Sequence, residues 1–333
     1  LKELFGKNVL FISPCFFGYE IEIKNKLESF GAQVRWFDDR PKNDFFTKFL
    51  IRLNISFISD LYINAYHKKI HQYASAHEID FLFLVDVEGV GPKFIHRFKM
   101  LQPNAKIYIY TWDSIKSKSR VLSLKNLVDR FFTFDHLDAG KYGLMFLPLF
   151  YLDQYKSNEY DLQNYKYDLC FIGTAHSDRY HIIRQLMEIC EPLGIQFYVF
   201  LYSPSKLLFY IKNIVHTFFQ RYKKIDRAFI SFESLSKEEV IAIFNTSKVI
   251  LDIEHPKQSG LTIRVFEALA KRKKILTTSR DITSYDFYNP SIVCFLDRNN
   301  IALPIDFLKS DYKINECIFE KYSIGEWLKK IFQ

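Results

Sequence analysis

The sequence predicts an α/β protein built as two successive halves, each a parallel sheet with helices on its faces. Three observations carry that prediction. Short, nearly continuous apolar runs alternate with helix-like stretches, the pattern of strands covered on both faces by crossover helices. The alternation stops at a polar, Tyr- and Asn-rich segment, Asp153–Tyr167, and then restarts. The 333 residues exceed one ordinary core and suit two domains of roughly 100–200 residues each.

In the first half the runs Val9–Ser13, Gln33–Phe37, Phe81–Asp86, Lys106–Thr111 and Phe131–Phe134 read as strands. Glu20–Phe30 has helical spacing and is closed by Gly31, a residue suited to the position after a helix. Strand, helix and parallel strand make a Rossmann-like opening. In the second half, strand Asp168–Ile172, helix Asp178–Cys190, strand Gln196–Leu201, helix Lys237–Asn245, strand Lys248–Ile253, helix Leu261–Ala270 and strand Lys274–Thr277 repeat the plan. The expected division is residues 1–152, residues 153–317, and residues 318–333, whose helical spacing over Ile318–Phe332 suits a helix crossing back to the first domain. Two such domains facing each other across a cleft would turn the carboxyl ends of both sheets toward it, where ligands of this architecture bind.

Composition narrows the classes. Hydrophobic residues at 48% and charged residues at 25% exclude a disordered or fibrous chain. Forty-six Lys and Arg against 38 Asp and Glu leave +8, which favours anionic partners such as nucleotides or phosphorylated lipids. The basic residues are spread without a recognised RNA or DNA motif, so nucleic acid is not expected as a partner. Five cysteines, at 15, 170, 190, 294 and 317, are odd in number and widely spaced, and read as reduced core thiols of a cytoplasmic protein. No apolar run reaches the ~18 residues of a bilayer span. The strand-like Asn8–Ile12 begins almost at once, so no signal peptide is expected within these residues.

The most informative stretch runs from Asp252 to Thr278. A strand ends in a polar loop containing Gly260, a helix is expected from about Leu261, and a second strand follows a basic turn. Backbone N–H groups at a helix start, with Arg264 one turn in, suit a diphosphate. Glu267, about two turns beyond Gly260, is placed to accept hydrogen bonds from ribose hydroxyls. The plainer alternative is a surface loop and an amphipathic helix with Arg264 and Glu267 as a solvated i,i+3 pair.

Gly260-Leu-Thr-Ile-Arg-Val-Phe-Glu-Ala-Leu269, the basic turn and Ile275-Leu-Thr-Thr278 resemble the donor-binding segment of GT-B glycosyltransferases, most closely bacterial lipopolysaccharide or capsule biosynthesis proteins. Asp38-Asp-Arg-Pro41, Tyr110-Thr-Trp-Asp-Ser114, Thr133-Phe-Asp135 with Asp138, Leu147-Pro-Leu-Phe150 and Phe171-Ile-Gly-Thr-Ala-His-Ser-Asp-Arg179 agree in order, so the similarity covers most of the chain. It implies two Rossmann-like domains and a nucleotide-sugar donor held mainly by the second. Gly260, Thr262 and Arg264 would lie at the diphosphate and Glu267 at the ribose, with Leu261 in the same donor-binding set. The departure is Lys271-Arg-Lys-Lys274, where GT-B relatives more often carry a small residue and Gly.

Other candidates cluster at expected strand ends. Gly173 permits close backbone approach, and His176 and Arg179 follow it, Arg179 as a planar fork for phosphate. The alternative there is a helix capped by Ser177 or Asp178 with Arg179 in solvent. In the first half, Gly18 has room for a sugar or phosphate and Glu20 is a candidate base, although Glu in a first helical turn also simply suits the helix dipole. Asp113 follows a strand beside Trp112, a ring suited to stacking on a sugar, and is the other candidate base. Asp39 and Arg40 occupy the same kind of position after the second strand.

Three competing signals fail. Gly89-Val-Gly91-Pro-Lys-Phe94 lacks the third Gly of a dinucleotide fingerprint. His67-Lys-Lys-Ile-His71 lacks the Glu of a zinc protease motif. Asp86-Val-Glu88 mimics the metal-binding pair of GT-A enzymes, but the two-half organisation argues against that fold. Lys206–Lys224 is basic and aromatic, and is either a core-packing helix or one that dips into an anionic membrane surface.

The expectation is therefore a glycosyltransferase moving a sugar from a nucleotide sugar to a lipopolysaccharide, O-antigen or capsule glycan, free or lipid-linked. It would act in the cytoplasm or on the inner face of the bacterial inner membrane, with no cofactor and no metal. A non-catalytic bilobal binding protein of polysaccharide or spore-coat assembly is the alternative.

Overall fold

The computed structural model describes residues 2–40, 56–157, 165–207, 209–210, 229–256, 258–310 and 319–333. The chain divides into two compact units, Leu1–Leu149 with Ser323–Gln333, and Phe150–Tyr322.

Unit 1 contains β1 (Asn8–Ser13), α1 (Tyr19–Ser29), β2 (Gln33–Asp38), α2 (Ser56–Ala76), β3 (Phe81–Val85), α3 (Pro92–Leu101), β4 (Lys106–Thr111), β5 (Arg130–Thr133), α4 (His136–Tyr142) and β6 (Met145–Phe146). Its strands pair in parallel in the order β2-β1-β3-β4-β5-β6. Side chains alternate across a sheet, and here the alternation sorts aliphatic from aromatic. Leu10, Ile12, Leu82, Leu84, Ile107 and Ile109 build one core with Ile70 and Ala74 of α2 and Phe94, Ile95 and Phe98 of α3. Phe11 and Phe83 stack on the other face, at 5.5 Å.

That aromatic face is covered by the C-terminal helix Ile324–Phe332, whose Ile324, Trp327, Leu328, Ile331 and Phe332 form one buried stripe. The Trp327 ring lies 4.8 Å from Tyr110 and 6.0 Å from Phe83. Phe332 lies 5.3 Å from Phe83 and 5.6 Å from Tyr108. Ser323 caps the helix by accepting from the Glu326 amide at 3.2 Å.

Unit 2 contains β7 (Tyr167–Thr174), α5 (Arg179–Cys190), β8 (Phe197–Tyr202), β9 (Ile230–Ser231), α6 (Lys237–Asn245), β10 (Ser247–Asp252), α7 (Ile263–Ala270), β11 (Lys274–Thr277), β12 (Val293–Phe295) and α8 (Ile305–Lys309). The parallel order is β12-β11-β10-β7-β8-β9. Counted from β7 this is the 3-2-1-4-5-6 order of a dinucleotide-binding sheet. Leu169 and Phe171 of β7 and Val249 and Leu251 of β10 pack on Ile182, Ile183 and Leu186 of α5. Both units are thus parallel sheets between helices.

Several expectations shift. Tyr155, placed in a linker by its polar neighbours, is buried inside unit 2, carried by a 3-10 turn too short to show a period. The division falls after Leu149 and after Tyr322. The α7 helix starts at Ile263, two residues later than expected, because Thr262 is still extended at ψ 159°. In the basic turn Arg272 takes the left-handed position, φ 52°, that a Gly would fill more easily. Lys273 and Lys274 are buried there, and their ammonium groups donate to the carbonyls of Asn245 and of Phe307 and Ser310.

Cys170 and Cys190 are buried, whereas Cys15 is exposed and Cys294 partly so, and all four are free thiols. Cys317, Pro41 and most of Lys206–Lys224 lie outside the described residues, although Phe209 of that stretch is buried in the unit 2 core. Among the described residues no helix is long and apolar enough to cross a membrane.

Because Trp327 is fully buried on the aromatic face, Trp327→Ala is expected to destabilise unit 1 by about 3–5 kcal/mol in denaturant unfolding. A loss below about 1 kcal/mol would contradict that packing role.

Candidate functional site

Where strand order reverses in a parallel sheet, the two crossovers leave on opposite faces and a crevice opens at the strands' carboxyl ends. The reversal falls between β7 and β10 in unit 2, and between β1 and β3 in unit 1. The residues singled out from the sequence gather at these two places.

In unit 2 the turn after β7 carries Ser177 with φ 50°, a conformation that non-Gly residues seldom adopt. The Ser177 hydroxyl donates to the His176 carbonyl at 2.7 Å, and the His176 ring lies 5.4 Å from that of His255 on the loop after β10. Arg179 opens α5 and turns back over the strand ends. Its Nε donates to the Ile253 carbonyl at 2.7 Å and its Nη1 to the Thr174 carbonyl at 3.2 Å. The guanidinium is therefore not in solvent, as the capped-helix alternative requires. Burial, with Arg264 and Arg298 near, lowers it to about 10 although Asp252 and Glu254 pull the other way, so it stays charged at neutral pH. Gly173 makes room for this arrangement, since a Cβ there would meet Phe171 Cζ at 2.8 Å and Arg179 Nη1 at 3.2 Å.

Asp252 ends β10 and is buried. It accepts from Thr262 Oγ1 at 2.6 Å and Thr277 Oγ1 at 3.1 Å, and burial, with Glu254 adding, raises its carboxyl. Thr262 is the N-cap of α7, yet its hydroxyl goes to Asp252 and makes no side-chain cap with the helix's own amides. Gly260 and Leu261, both buried, lead into that start. Asp178 likewise makes no cap: its carboxylate receives both Nη1 contacts of Arg298, at 2.8 and 2.7 Å. Arg298 Nη2 also reaches Glu254 Oε1 at 2.8 Å and Thr278 Oγ1 at 3.1 Å. One arginine thus ties together the segments that follow β7, β10 and β11.

Arg264 and Glu267 depart from expectation. They form the i,i+3 pair, Nη1 to Oε2 at 2.6 Å, but the carboxylate is buried rather than solvated. Arg264 lies 5.2 Å over the Phe244 ring, and the Tyr155 hydroxyl bonds to both members of the pair, with burial pushing that phenol far up. Glu267 is turned to Tyr155 and Arg264, on an α7 whose Val265–Ala270 are all buried.

In unit 1 the turn after β1 has Phe17 at φ 49° and Gly18 at φ 77°, and Gly18 is the N-cap of α1. Glu20, the candidate base, is buried and folded back onto this turn, accepting from the Phe16 amide at 3.0 Å and the Cys15 thiol at 3.4 Å. Phe16 and Phe17 are exposed, and the Phe16 ring lies 5.7 Å from Trp112. Asp39 is buried and accepts from the amides of Glu88 at 2.8 Å and Gly89 at 3.0 Å; burial still raises its carboxyl. Arg40 Nη2 lies 3.3 Å from Glu88 Oε2, and its Nε 3.7 Å from Asp39 Oδ2.

At the centre is Lys118. Its ammonium contacts Asp86 Oδ2, Asp113 Oδ2 at 2.9 Å and Glu88 Oε1 at 3.3 Å. Burial alone would lower this lysine, but Asp86, Asp113 and Glu88 hold it above its ordinary value. Asp86 is buried in a left-handed conformation, φ 53°, and accepts from the Trp112 amide at 3.3 Å and the Asp113 amide at 3.1 Å. Asp86-Val-Glu88 is thus engaged with an ammonium. Among the described residues no group of three or more His, Cys, Asp or Glu is set to hold a metal ion.

The sequence reading missed Lys118, Arg298 and Tyr155, which lie in irregular segments with no period to mark them. It weighed Asp86 and Glu88 only as a metal-binding pair of the GT-A kind, and so did not expect their ion pairs with Lys118. The histidines 67 and 71 prove structural: both pack on Phe94, at 4.8 and 4.5 Å, and burial, with His71 adding, lowers His67 to about 4. The unfolded chain takes up a proton near 6.5 that folded His67 refuses until about 4, so the stability it contributes is present above 6.5 and lost as pH falls toward 4. Between pH 7 and pH 4 the wild type is expected to lose about 1–3 kcal/mol from this group, less in His67→Gln; equal losses in denaturant titrations would contradict it.

No protein-family profile and no curated protein matches the chain. Solved structures do. Sucrose-phosphate synthase from Thermosynechococcus elongatus is 10% identical over 98% of this chain and 95% of that one, with a TM-score of 0.59. OtsA in its apo form is 11% identical over 98% of both chains, at 0.60. UDP-GlcNAc 2-epimerase from Methanocaldococcus jannaschii, in complex with UDP-GlcNAc and UDP, is 13% identical over 98% of this chain and 99% of that one, at 0.54. At such identities the likeness is one of fold. The chain has the GT-B fold, two Rossmann-like domains built on six-stranded parallel sheets.

Proposed function

We propose that the protein is a glycosyltransferase that moves a sugar from a nucleotide-sugar donor to a glycan acceptor. The observation that carries this reading is the gathering of Thr174–Arg179 and Gly260–Thr262 at the carboxyl ends of β7 and β10, the reversal point of a GT-B donor-type sheet. Arg179 supplies fixed positive charge, the His176 and His255 rings lie 5.4 Å apart on the loops after β7 and β10, and the start of α7 adds the positive end of a helix dipole. These groups suit the diphosphate of a donor and the charge that develops on it as it leaves. Positive side chains and backbone amides carry that role, with no metal and no cofactor.

Unit 1 holds the acceptor. Its reversal point offers aromatic rings, Phe16 and Trp112, for the faces of sugars, and carboxylates for their hydroxyls. A lipopolysaccharide, O-antigen or capsule glycan as acceptor, and a place on the cytoplasmic face of an anionic inner membrane, are supported by the motif resemblance and by the basic, aromatic composition of Lys206–Lys224. Sedimentation with phosphatidylglycerol vesicles tests the latter: binding weakened in Lys223→Glu/Lys224→Glu supports it, and unchanged binding contradicts it.

Thermal unfolding with UDP, GDP, dTDP and CMP tests the donor site. One nucleotide near a hundred times its Kd is expected to raise Tm by about 5 °C or more, and His176→Ala and Arg179→Gln to lose most of that rise. No response to any of the four would contradict the reading. Product analysis with the matching sugar nucleotide separates transfer from an isomerised donor, and from binding without turnover.

A further inference from the structure

Resting on that reading, we infer that Asp113 takes the proton of the acceptor hydroxyl and that Lys118 is the positioning residue that holds it for the task. The carboxylates at the carboxyl end of the unit 1 sheet are not equivalent. Glu20 is buried and spent on the Phe16 amide and the Cys15 thiol. Asp39 is buried and spent on the amides of Glu88 and Gly89. Asp86 is buried beneath the loop that it holds. Asp113 has a side chain 50% exposed, against 2% for Asp86 and 19% for Glu88, so a substrate can reach it.

Exposure alone does not make a base; a fixed position does. Asp113 is held at both ends of the residue. Its amide donates to Asp86 Oδ1 at 3.1 Å, and its Oδ2 lies 2.9 Å from Lys118 Nζ. The segment beyond it is pinned by Asp138 of α4, which accepts from the Ile115 amide at 2.8 Å and from Ser114 Oγ at 3.4 Å. Asp113 is bracketed by Trp112, whose own amide is tied to the same Asp86 oxygen and whose ring faces exposed Phe16. A sugar ring laid on these aromatics brings its hydroxyls to the carboxylate.

Lys118 is a partly buried cation, its side chain 11% exposed, among Asp86, Glu88 and Asp113, with Arg40 and Asp39 as the next charges. Such a group is costly unless it is paired, and two of its partners, Asp86 and Glu88, take no part in the transfer. When Asp113 becomes neutral by accepting a proton, Asp86 and Glu88 still compensate the ammonium. In the step itself the acceptor O–H bond breaks and its proton passes to an Asp113 oxygen. The acceptor oxygen bonds to the anomeric carbon as the bond from that carbon to the donor phosphate breaks, the electron pair leaving with the nucleoside phosphate. A single displacement of this kind inverts the anomeric configuration.

The test uses the full chain and two readouts, nucleoside phosphate released from UDP-, GDP- and dTDP-glucose, and the Tm rise given by the free nucleotide. Asp113→Asn, at a half-exposed site, is expected to lower turnover about 10²- to 10⁴-fold with the Tm rise intact, and Asp113→Glu to recover part of the loss. Lys118→Met is expected to lower kcat about tenfold or more, and Lys118→Arg to recover part of that loss, because the carboxylate is no longer held in place by an ammonium at 2.9 Å. Donor KM should stay unchanged. If Lys118→Met does not fold, the two Asp113 variants decide alone. Turnover within threefold of wild type in Asp113→Asn, an unchanged kcat in folded Lys118→Met, or wild-type nucleotide binding without any release would each overturn the inference while leaving the donor site standing. Absence of a Tm rise in the wild type would overturn the donor reading, and the inference with it.

Discussion

The reversal of strand order in each parallel sheet is the constraint from which the rest of the structure follows. At that point neighbouring crossovers part, and the strand ends would be left with unpaired peptide groups facing the crevice. The chain fills the gap with charge. In unit 2 Arg298 and Arg179 bridge the segments after β7, β10 and β11, and in unit 1 Lys118 and Arg40 bridge those after β2, β3 and β4. Each network ties loops from different strands through partly buried ion pairs and hydrogen bonds, and so fixes the loops that it joins.

Strain accumulates at the same places. Among the described residues the non-Gly positions with positive φ are Phe17, Asp86, Ser177 and Arg272, and the first three lie in the segments that leave β1, β3 and β7. Each conformation costs on the order of 1–3 kcal/mol and persists only where its surroundings impose it. The surroundings here are Glu20 on the turn of Phe17, Lys118 on Asp86, and the β7–α5 turn whose Asp178 is gripped by Arg298. Loops held in this way, on both sheets, suit the substrate binding proposed above.

Much of the fold was legible because buried parallel strands write themselves as apolar runs. The alternation Phe81-Leu-Phe-Leu-Val85 even encodes which side of the sheet is aromatic, though only the Trp327 helix reveals why. The candidate residues stood out by position, since Asp39, Asp113 and Gly260 come after strands and Gly173 lies at the carboxyl end of one. Their partners did not. Lys118 meets Asp86 from 32 residues away and Arg298 meets Asp178 from 120, and neither sits in a periodic element. The neighbours of Glu267 were hidden for a related reason: spacing along α7 places it relative to Gly260, but only the packing of Tyr155 against the helix shows that its carboxylate meets Tyr155 and Arg264.

Whether an activated sugar's phosphates dock where β7 and β10 diverge is tested most directly by amide hydrogen exchange, with and without whichever nucleotide stabilises the protein. Slowed exchange confined to Thr174–Tyr180 and to residues 258–265, with the amides around Asp86 and Asp113 unaffected, is the predicted result. Protection that falls on the unit 1 loops instead, or on neither sheet's carboxyl end, would contradict it.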